Sequence, residues 1–244
     1  MRYYGFSRLE KYISISKLAT MTYFTPDFLN FFADLRENND RDWFKSQKKR
    51  YETAVKKPFE QLIASLIERM QIEDPTLLVT TKDCIFRIHR DTRFSKDKTP
   101  YKLHASAAIN RGGKKDHTQP GIYIQASDDS FGIFSGNYRP DTKGLRAIRE
   151  EIISNMDEFQ ALLEDKNFKA KFGTIQGEKN KRIAKEFREA AEQQPLLFHK
   201  QFYYAHEMSA ETLLRDDLVD FVMEYYHASR PMSAFLSRAA AKIL

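Results

Sequence analysis

The sequence has one cysteine, Cys84, and no long apolar run. A single cysteine excludes an internal disulfide and is typical of a reducing compartment, so we expect a cytoplasmic protein. The apolar runs are shorter than the roughly 18 residues that cross a bilayer, which argues against a membrane partner. Charged residues interrupt positions 1–12, where a signal peptide needs an unbroken apolar core.

The six histidines lack the spacing of zinc sites, since neither H-E-x-x-H nor C-x-x-C occurs. A mixed site of His89, Asp91 and His104 is geometrically conceivable, but the arginines around it would repel a cation. We therefore predict no metal site, and nothing in the sequence indicates a cofactor.

Positive charge is concentrated in one part of the chain. Residues 87–115 hold nine Lys or Arg and two acids, whereas the rest of the chain is close to neutral. A local excess of this kind favours an anionic ligand. A solvated basic hairpin without a partner is the alternative interpretation.

Two helices are predicted near the start of the domain. Thr25-Pro26-Asp27 supplies a hydroxyl N-cap, a proline at the first helical position and an acid in the first turn, and an apolar face follows over residues 28–35. The run Asn38-Asn39-Asp40 should end that helix and cap the next. We expect the second helix from Arg41 to about Met70, with a kink near Pro58.

After residue 75 the apolar period changes to two, as in strands with one buried face. We predict four strands, over residues 84–91, 101–109, 122–126 and 131–138. Strands joined by turns without intervening helices are typical of an antiparallel meander. From Pro140 onward the chain is predicted to be helical, with one helix capped by Asp141 or Thr142, a long one capped by Ser209 and a last one over residues 232–244.

The predicted fold class is α+β, with an antiparallel meander sheet of about four or more strands flanked by helices. We expect a single domain over residues 23–244 with a helical C-terminal part, preceded by an N-terminal extension, residues 1–22. Two interpretations of the extension stay open. Either Met21 is the true start and the first twenty residues are an upstream in-frame addition, or they form a tail that packs on the domain through its aromatic side chains.

The stretch Phe86–Lys102 is the densest in functional groups. Residues two apart on a strand share a face, so Arg87, His89 and Asp91 should line up, with residues 92–100 as the loop that closes the hairpin. Guanidinium groups bind phosphate or carboxylate oxygens through paired hydrogen bonds, and lysines add positive charge. The candidate anion-binding residues are Arg87, Arg90, Arg93, Ser95, Lys98 and Lys102.

Four further residues are predicted to support that site. They are Asp91, Asp97, Tyr101 and Arg139. The two aspartates should hold arginines in place, because buried guanidinium groups need partners. Arg139 precedes a predicted helix N-terminus, where backbone N–H groups favour an anion.

A catalytic interpretation rests on His89 and Asp91. A carboxylate beside an imidazole can orient it as a general base, but no nucleophile accompanies this pair. Ser95 and Lys98 have the S-x-x-K spacing of Ser–Lys hydrolases without the companion S-D-N and K-T-G motifs. Ser95 is therefore better explained as a loop cap or a phosphate ligand, and the sequence assigns no reaction.

The segment R-I-H-R-D-T-R-F-S-K-D-K-T-P-Y-K, residues 87–102, resembles the signature of domain-of-unknown-function family 2461, a widespread bacterial group. Residues 28–44 are similar to the family's N-terminal helix-turn-helix start, and residues 120–140 to its glycine-containing strands. The resemblance covers about Tyr23 to Leu236, although residues 198–208 lack the proline-glycine pattern expected there. It implies a fold and a set of signature positions, but no established reaction. Those positions are Arg87, Arg90, Asp91, Arg93, Phe94, Ser95, Asp97, Lys98, Pro100, Tyr101 and Lys102.

Three hypotheses for the basic stretch stay open. Binding of a phosphorylated or other anionic small molecule is favoured if the cluster is concave and partly buried. Binding of nucleic acid, with Phe94, Tyr101 or Tyr138 stacking on bases, is favoured if the cluster is convex and exposed. A structural ion-pair network that ties the hairpin to the helices is favoured if a carboxylate pairs with every guanidinium. The sequence does not predict the oligomeric state.

Overall fold

The structure, a computed structural model, describes residues 21–116 and 121–241, with side chains as far as residue 239. The predicted N-terminal extension lies outside these residues except for Met21 and Thr22, so the start at Met21 stays a prediction. The end of the predicted last helix, residues 242–244, also lies outside them.

Four antiparallel strands form one sheet in the described part of the chain. They are β1 His104–Ile109, β2 Ile122–Ser127, β3 Ser130–Asn137 and β4 Phe202–Ser209. Each strand lies beside the one before it in sequence, in the order β1-β2-β3-β4. Ile124 lies opposite Ala107 on one side and Ile133 on the other, so these apolar side chains share the buried face. The predicted α+β antiparallel meander is confirmed.

β4 contradicts the prediction that the chain is helical from Pro140 onward and that Ser209 caps a long helix. It pairs with β3 along its whole length, and the side chains of Phe202 and Tyr204 are fully buried. Pairing and burial against a neighbouring strand outweigh the local helix propensity of residues such as Ala205 and Glu207.

The predicted strand over residues 84–91 is also wrong. Cys84 ends a short helix, and the residues after it pair with the β1 side only through isolated bridges, Ile85 to Ala107 and His89 to Tyr101. The second bridge is offset from the first by two residues, so the chain before β1 bulges between the two. The bulge prevents a continuous ladder.

Helices make up most of the remaining chain. They are α1 Pro26–Glu37, α2 Arg41–Ser46, α3 Lys48–Arg50, α4 Lys57–Glu73, α5 Thr81–Cys84, α6 Thr142–Ser154, α7 Met156–Glu164, α8 Lys166–Phe172, α9 Arg188–Gln193 and α10 Leu218–Ala241. Short 3₁₀ segments lie at Gly113–Lys115, Lys185–Phe187, Pro195–Phe198 and Ala210–Leu214. None of the helices in the described part combines the length and the apolarity that crossing a bilayer requires.

α1, α2 and α6 begin at the predicted capping residues, but the predicted capping bond forms only at some of them. Thr25 is the N-cap of α1 with proline at the next position, although its hydroxyl makes no capping hydrogen bond. Asp40 caps α2, and its carboxylate accepts hydrogen bonds from the amides of Asp42 and Trp43 at 2.9 Å each. Asp141 caps α6 by accepting from the Gly144 amide at 2.7 Å.

The predicted kink near Pro58 is a π-helical segment, Tyr51–Lys56, directly before α4. The Lys57 amide donates to the carbonyl of Glu52, five residues back. Proline lacks an N–H and its ring crowds the preceding turn, so the chain widens there rather than continuing as a regular helix. The predicted single helix is also interrupted at Gln47.

The packed helices lie on one face of the sheet. α10 packs on β3 and α6, α4 packs on β1, and α8 packs on β4. α10 runs through Pro231 without a break, so the two helices predicted for the C-terminal part are one. The other face of the sheet is not covered by these helices.

Candidate functional site

The loop of residues 92–100 closes an irregular hairpin, as predicted. The amide of Arg90 donates to the carbonyl of Pro100 at 2.9 Å, and the amide of Lys102 donates to the carbonyl of Ile88 at 2.8 Å. Asn39, from the turn after α1, holds the returning strand, because its side chain bonds both the carbonyl and the amide of Tyr101. The hairpin therefore has a defined position against the helices.

The two arginines at the tip of the hairpin are paired within the loop. Arg93 donates to the Asp91 carboxylate from Nε at 2.9 Å and from the terminal nitrogen at 2.7 Å. Arg90 bonds the Asp97 carboxylate and the Thr99 hydroxyl. The ion pairs of both arginines close inside the loop and do not reach the helices.

The hydrogen bonds within the loop keep both aspartates ionised. Hydrogen bonds from Arg93 lower the pKa of Asp91 to about 2. The Thr99 amide, followed by the Arg90 guanidinium, lowers the pKa of Asp97 to about 2. Both carboxylates are exposed and ionised at neutral pH, so they compete with an external anion for Arg90 and Arg93.

Arg87 and Lys102 differ from Arg90 and Arg93 in how their charges are paired. In the described residues neither forms an ion pair with a carboxylate, and Asp91, which senses the charge of Arg87, is bound to Arg93. Lys102 is partly buried, with Nζ 5.1 Å from the centre of the Phe86 ring. Burial lowers the pKa of Lys102, and the nearby Arg87 lowers it further.

His104 lies beside this pair at the start of β1. Burial, followed by the charge of Lys102, lowers the pKa of His104 to about 4. His104 is therefore neutral at pH 7 and does not add to the positive charge. It can still donate or accept one hydrogen bond at each ring nitrogen.

A groove of about 860 Å³ runs between the π-helical segment and the chain from α5 to His89. Its charged side chains are five basic and two acidic, namely Lys56, Lys82, Arg87, Lys114 and Lys115 against Glu52 and Glu60. Glu52 is already paired with Lys56. The Lys114 ammonium is held by backbone carbonyls, at 2.7 Å from that of Ile85, and its charge also acts on the Asp83 carboxylate, whose pKa it helps to lower.

The sequence analysis missed Lys82, Lys114 and Lys115 as site residues. Lys114 and Lys115 belong to the basic stretch of residues 87–115, so its charge density was a usable signal for them. Lys82 lies on a short helix, Thr81–Cys84, that the sequence analysis did not predict, and its sequence carries no comparable signal.

The catalytic candidates do not form a working pair. Arg87 and His89 line the same groove, but the Asp91 carboxylate is turned to Arg93, and no hydrogen bond joins it to His89 in the part of the chain described. Lys98 donates to the Thr92 carbonyl at 2.9 Å, which holds it at the loop backbone. Within residues 21–116 and 121–241, no group of three or more His, Cys, Asp or Glu could hold a metal ion.

The predicted stacking and anchoring residues differ in exposure. Tyr101 is 6% exposed and stacks on Phe44, with ring centres 4.0 Å apart, so it is not available to a nucleic-acid base, contrary to the prediction. Phe94 and Tyr138 are 94% and 54% exposed. Arg139 lies over the Tyr138 ring, and the helix N-terminus that follows is already capped by the protein's own carboxylate.

Comparison with known proteins gives one match. The model of the family described as "Conserved hypothetical protein (DUF2461)" matches residues 27–235, which confirms the family suggested by the 87–102 signature. No curated protein and no solved structure matches the chain.

Proposed function

Since the chain belongs to the DUF2461 family of conserved hypothetical proteins, whose description names no reaction, we propose its function from the geometry of the site. The protein binds a phosphorylated or other anionic small molecule in the groove beside Arg87. The observation that carries this proposal is the proximity of two cations to Phe86: Arg87 follows it directly in the chain, and Lys102 Nζ lies 5.1 Å from the centre of its ring. No carboxylate of the described residues pairs with either cation, and Arg87 is close enough to lower the pKa of Lys102.

Two like charges held together without a counterion destabilise a folded protein, the more so where one of them is partly desolvated. Natural proteins retain such arrangements mainly at functional sites. An anion between the two groups would compensate both charges. The Arg87 guanidinium would supply a pair of parallel hydrogen bonds and Lys102 a point charge.

The other predicted ligands take a lesser part in this proposal. Arg90 and Arg93 would first have to leave Asp97 and Asp91, and Lys98 the Thr92 carbonyl. Ser95 lies in the same loop and does not line the groove. Lys82 and Lys115 also line the groove and would add positive charge at longer range.

Calorimetric titration with inorganic phosphate and with ribose 5-phosphate tests the proposal. Arg87→Ala should weaken binding by roughly 10- to 100-fold, because it removes charge-assisted hydrogen bonds. Arg111→Ala is the matched control: it removes an arginine of the same basic stretch that is paired with Asp74 and lies away from the groove. Arg93→Ala locates the site, since it should change the dissociation constant by less than about threefold.

Equal affinities of the wild type and Arg87→Ala for both ligands would refute the proposed site. A larger loss in Arg93→Ala than in Arg87→Ala would move the anion to the exposed loop. Binding of an oligonucleotide that falls steeply with salt, without binding of either small ligand, would favour the nucleic-acid hypothesis instead.

A further inference from the structure

The face of the sheet away from the helices carries aromatic side chains that the core does not use. We call it the open face and define it by Tyr123, Gln125, Phe134 and Tyr203, which are half-buried and alternate along their strands with fully buried residues of the helix-covered face. The three aromatic residues of the open face lie outside the hydrophobic core cluster. A solvent-facing sheet surface is normally polar, so these rings need another explanation.

Two of these rings, Tyr123 and Phe134, form a row with Phe86, which lies in the segment before β1. The centres of Phe86 and Tyr123 are 6.0 Å apart, and those of Tyr123 and Phe134 are 5.6 Å apart, in edge-to-face contacts. The Phe134 ring covers Gly132, where any Cβ would collide with it. The missing side chain lets the ring lie flat on the sheet.

The row begins where the proposed anion site ends. Phe86 lines the groove together with Arg87, and its ring lies 5.1 Å from Lys102 Nζ. At the other end of the row β4 places the carboxylate-bearing Glu207 opposite Gly132. Positive charge therefore flanks one end of the row and negative charge the other.

We propose that the anionic ligand is a nucleoside phosphate, whose phosphate binds Arg87 and Lys102 and whose base lies on Phe86 and Tyr123. This inference rests on the proposed function and names its ligand class. Stacking on aromatic rings accepts any base, because every base has a π-face. The amide of Gln125, which already accepts from the Tyr123 hydroxyl at 3.2 Å, is placed to bond the edge of the base.

The charge pattern favours a single nucleotide over a strand of nucleic acid. A strand crossing the row would bring further phosphates past Phe134 to the end that carries Glu207. Arg139 follows the other end of β3, beyond Asn137, and its guanidinium lies over the Tyr138 ring. One phosphate at the Arg87 end fits the charges of the open face better than several along it.

Titration with the four ribonucleoside 5′-monophosphates and with ribose 5-phosphate, which lacks the ring, tests the inference. At least one nucleotide should bind roughly 5- to 150-fold more tightly than ribose 5-phosphate, the range expected for one stacked base. Tyr123→Leu should remove most of that advantage and leave the affinity for ribose 5-phosphate unchanged. Tyr123→Phe keeps the ring and should bind nucleotides like the wild type.

The matched control is Phe94→Ala, which removes an aromatic ring that is 94% exposed and lies outside the row. Circular dichroism checks that each variant folds, and Phe86→Leu replaces Tyr123→Leu should that variant unfold. Equal affinities for the nucleotides and ribose 5-phosphate would overturn the nucleotide assignment and leave the anion site intact. If the wild type does not bind ribose 5-phosphate, both the nucleotide assignment and the anion site are refuted. Tighter binding of an octanucleotide than of any monomer would assign the open face to nucleic acid.

Discussion

Replacing His104 by glutamine should make the folded protein less sensitive to acid. His104 is partly buried beside Lys102, and these two conditions lower its pKa from 6.5 to about 4. The folded pKa lies below the unfolded one, so the unfolded chain binds the proton more tightly. Stability is therefore unaffected above about pH 6.5, falls as the pH drops from 6.5 to 4, and changes no further below that.

The size of the effect follows from the shift. A difference of about 2.5 pH units corresponds to roughly 3 kcal/mol, which is an upper bound because part of the ring remains accessible to water. His199 is buried too and its pKa is also lowered by burial, so it contributes with the same sign in the wild type and the variant alike. Asp91 and Asp97, with pKa values of about 2, lose their contribution as the pH falls below about 4.

Urea unfolding at pH 7.5 and pH 4.5 measures the difference, with the lower pH chosen to keep both aspartates ionised. Between the two values the wild type should lose about 2 kcal/mol more of its free energy of unfolding than His104→Gln does. His89→Gln, which replaces an exposed histidine of the same hairpin, is the control and should lose as much as the wild type. Parallel losses in the wild type and His104→Gln would refute the burial of His104 beside Lys102.

Three further outcomes are expected. Inorganic phosphate bound beside Lys102 should raise the pKa of His104, seen as a shift of its ring-proton titration by NMR to higher pH; an unchanged curve at saturating phosphate would place the anion elsewhere. Asp40→Ala should cost about 1 kcal/mol in urea unfolding, while Thr25→Ala, whose hydroxyl makes no capping bond, should cost less; equal costs would contradict the capping role of Asp40. Gly136→Ala should cost about 1–3 kcal/mol, because φ is 89° and a Cβ would meet the Phe202 carbonyl; a thermal midpoint equal to the wild type's would contradict this.

The elements that could be predicted are those whose cause is local. Thr25-Pro26 and Asp141 lie where α1 and α6 begin, since capping involves only the first turn of a helix. β2 and β3 are separated by a tight turn at residues 128–129. Their alternation of buried and half-buried residues and their pairing can therefore be predicted from one short stretch of sequence. Such signals need no knowledge of the rest of the fold.

The elements that could not be predicted depend on partners far along the chain. β4 becomes a strand because β3 offers it a full edge, and β3 lies more than sixty residues earlier. Residues 84–91 have the alternation of a strand, but the bulge before β1 limits their pairing to bridges. A hydrophobic pattern in the sequence shows which side chains can be buried on one face of a strand. It does not show whether a neighbouring strand offers a continuous edge for pairing.

The same limit applies to the site. The sequence indicates where basic residues are dense, but Arg93 and Arg87 differ only in whether a nearby aspartate can turn toward them. Lys82 and Lys114 reach the groove from separate segments that meet only in the folded chain. Charge density was therefore a guide to the region and not to the ligands.

Two features that would each lower stability meet at Phe86. On one side are Arg87 and Lys102, cations without a carboxylate partner in the described residues; on the other is an aromatic row outside the core. Either feature alone has a plain explanation, a solvated basic patch or a chance exposed ring. Their contact is harder to explain that way, because a ligand with an anionic group and a flat ring would compensate the charge and cover the rings at once. Such a ligand would also raise the melting temperature as its concentration exceeds the dissociation constant, a linkage that neither plain explanation predicts.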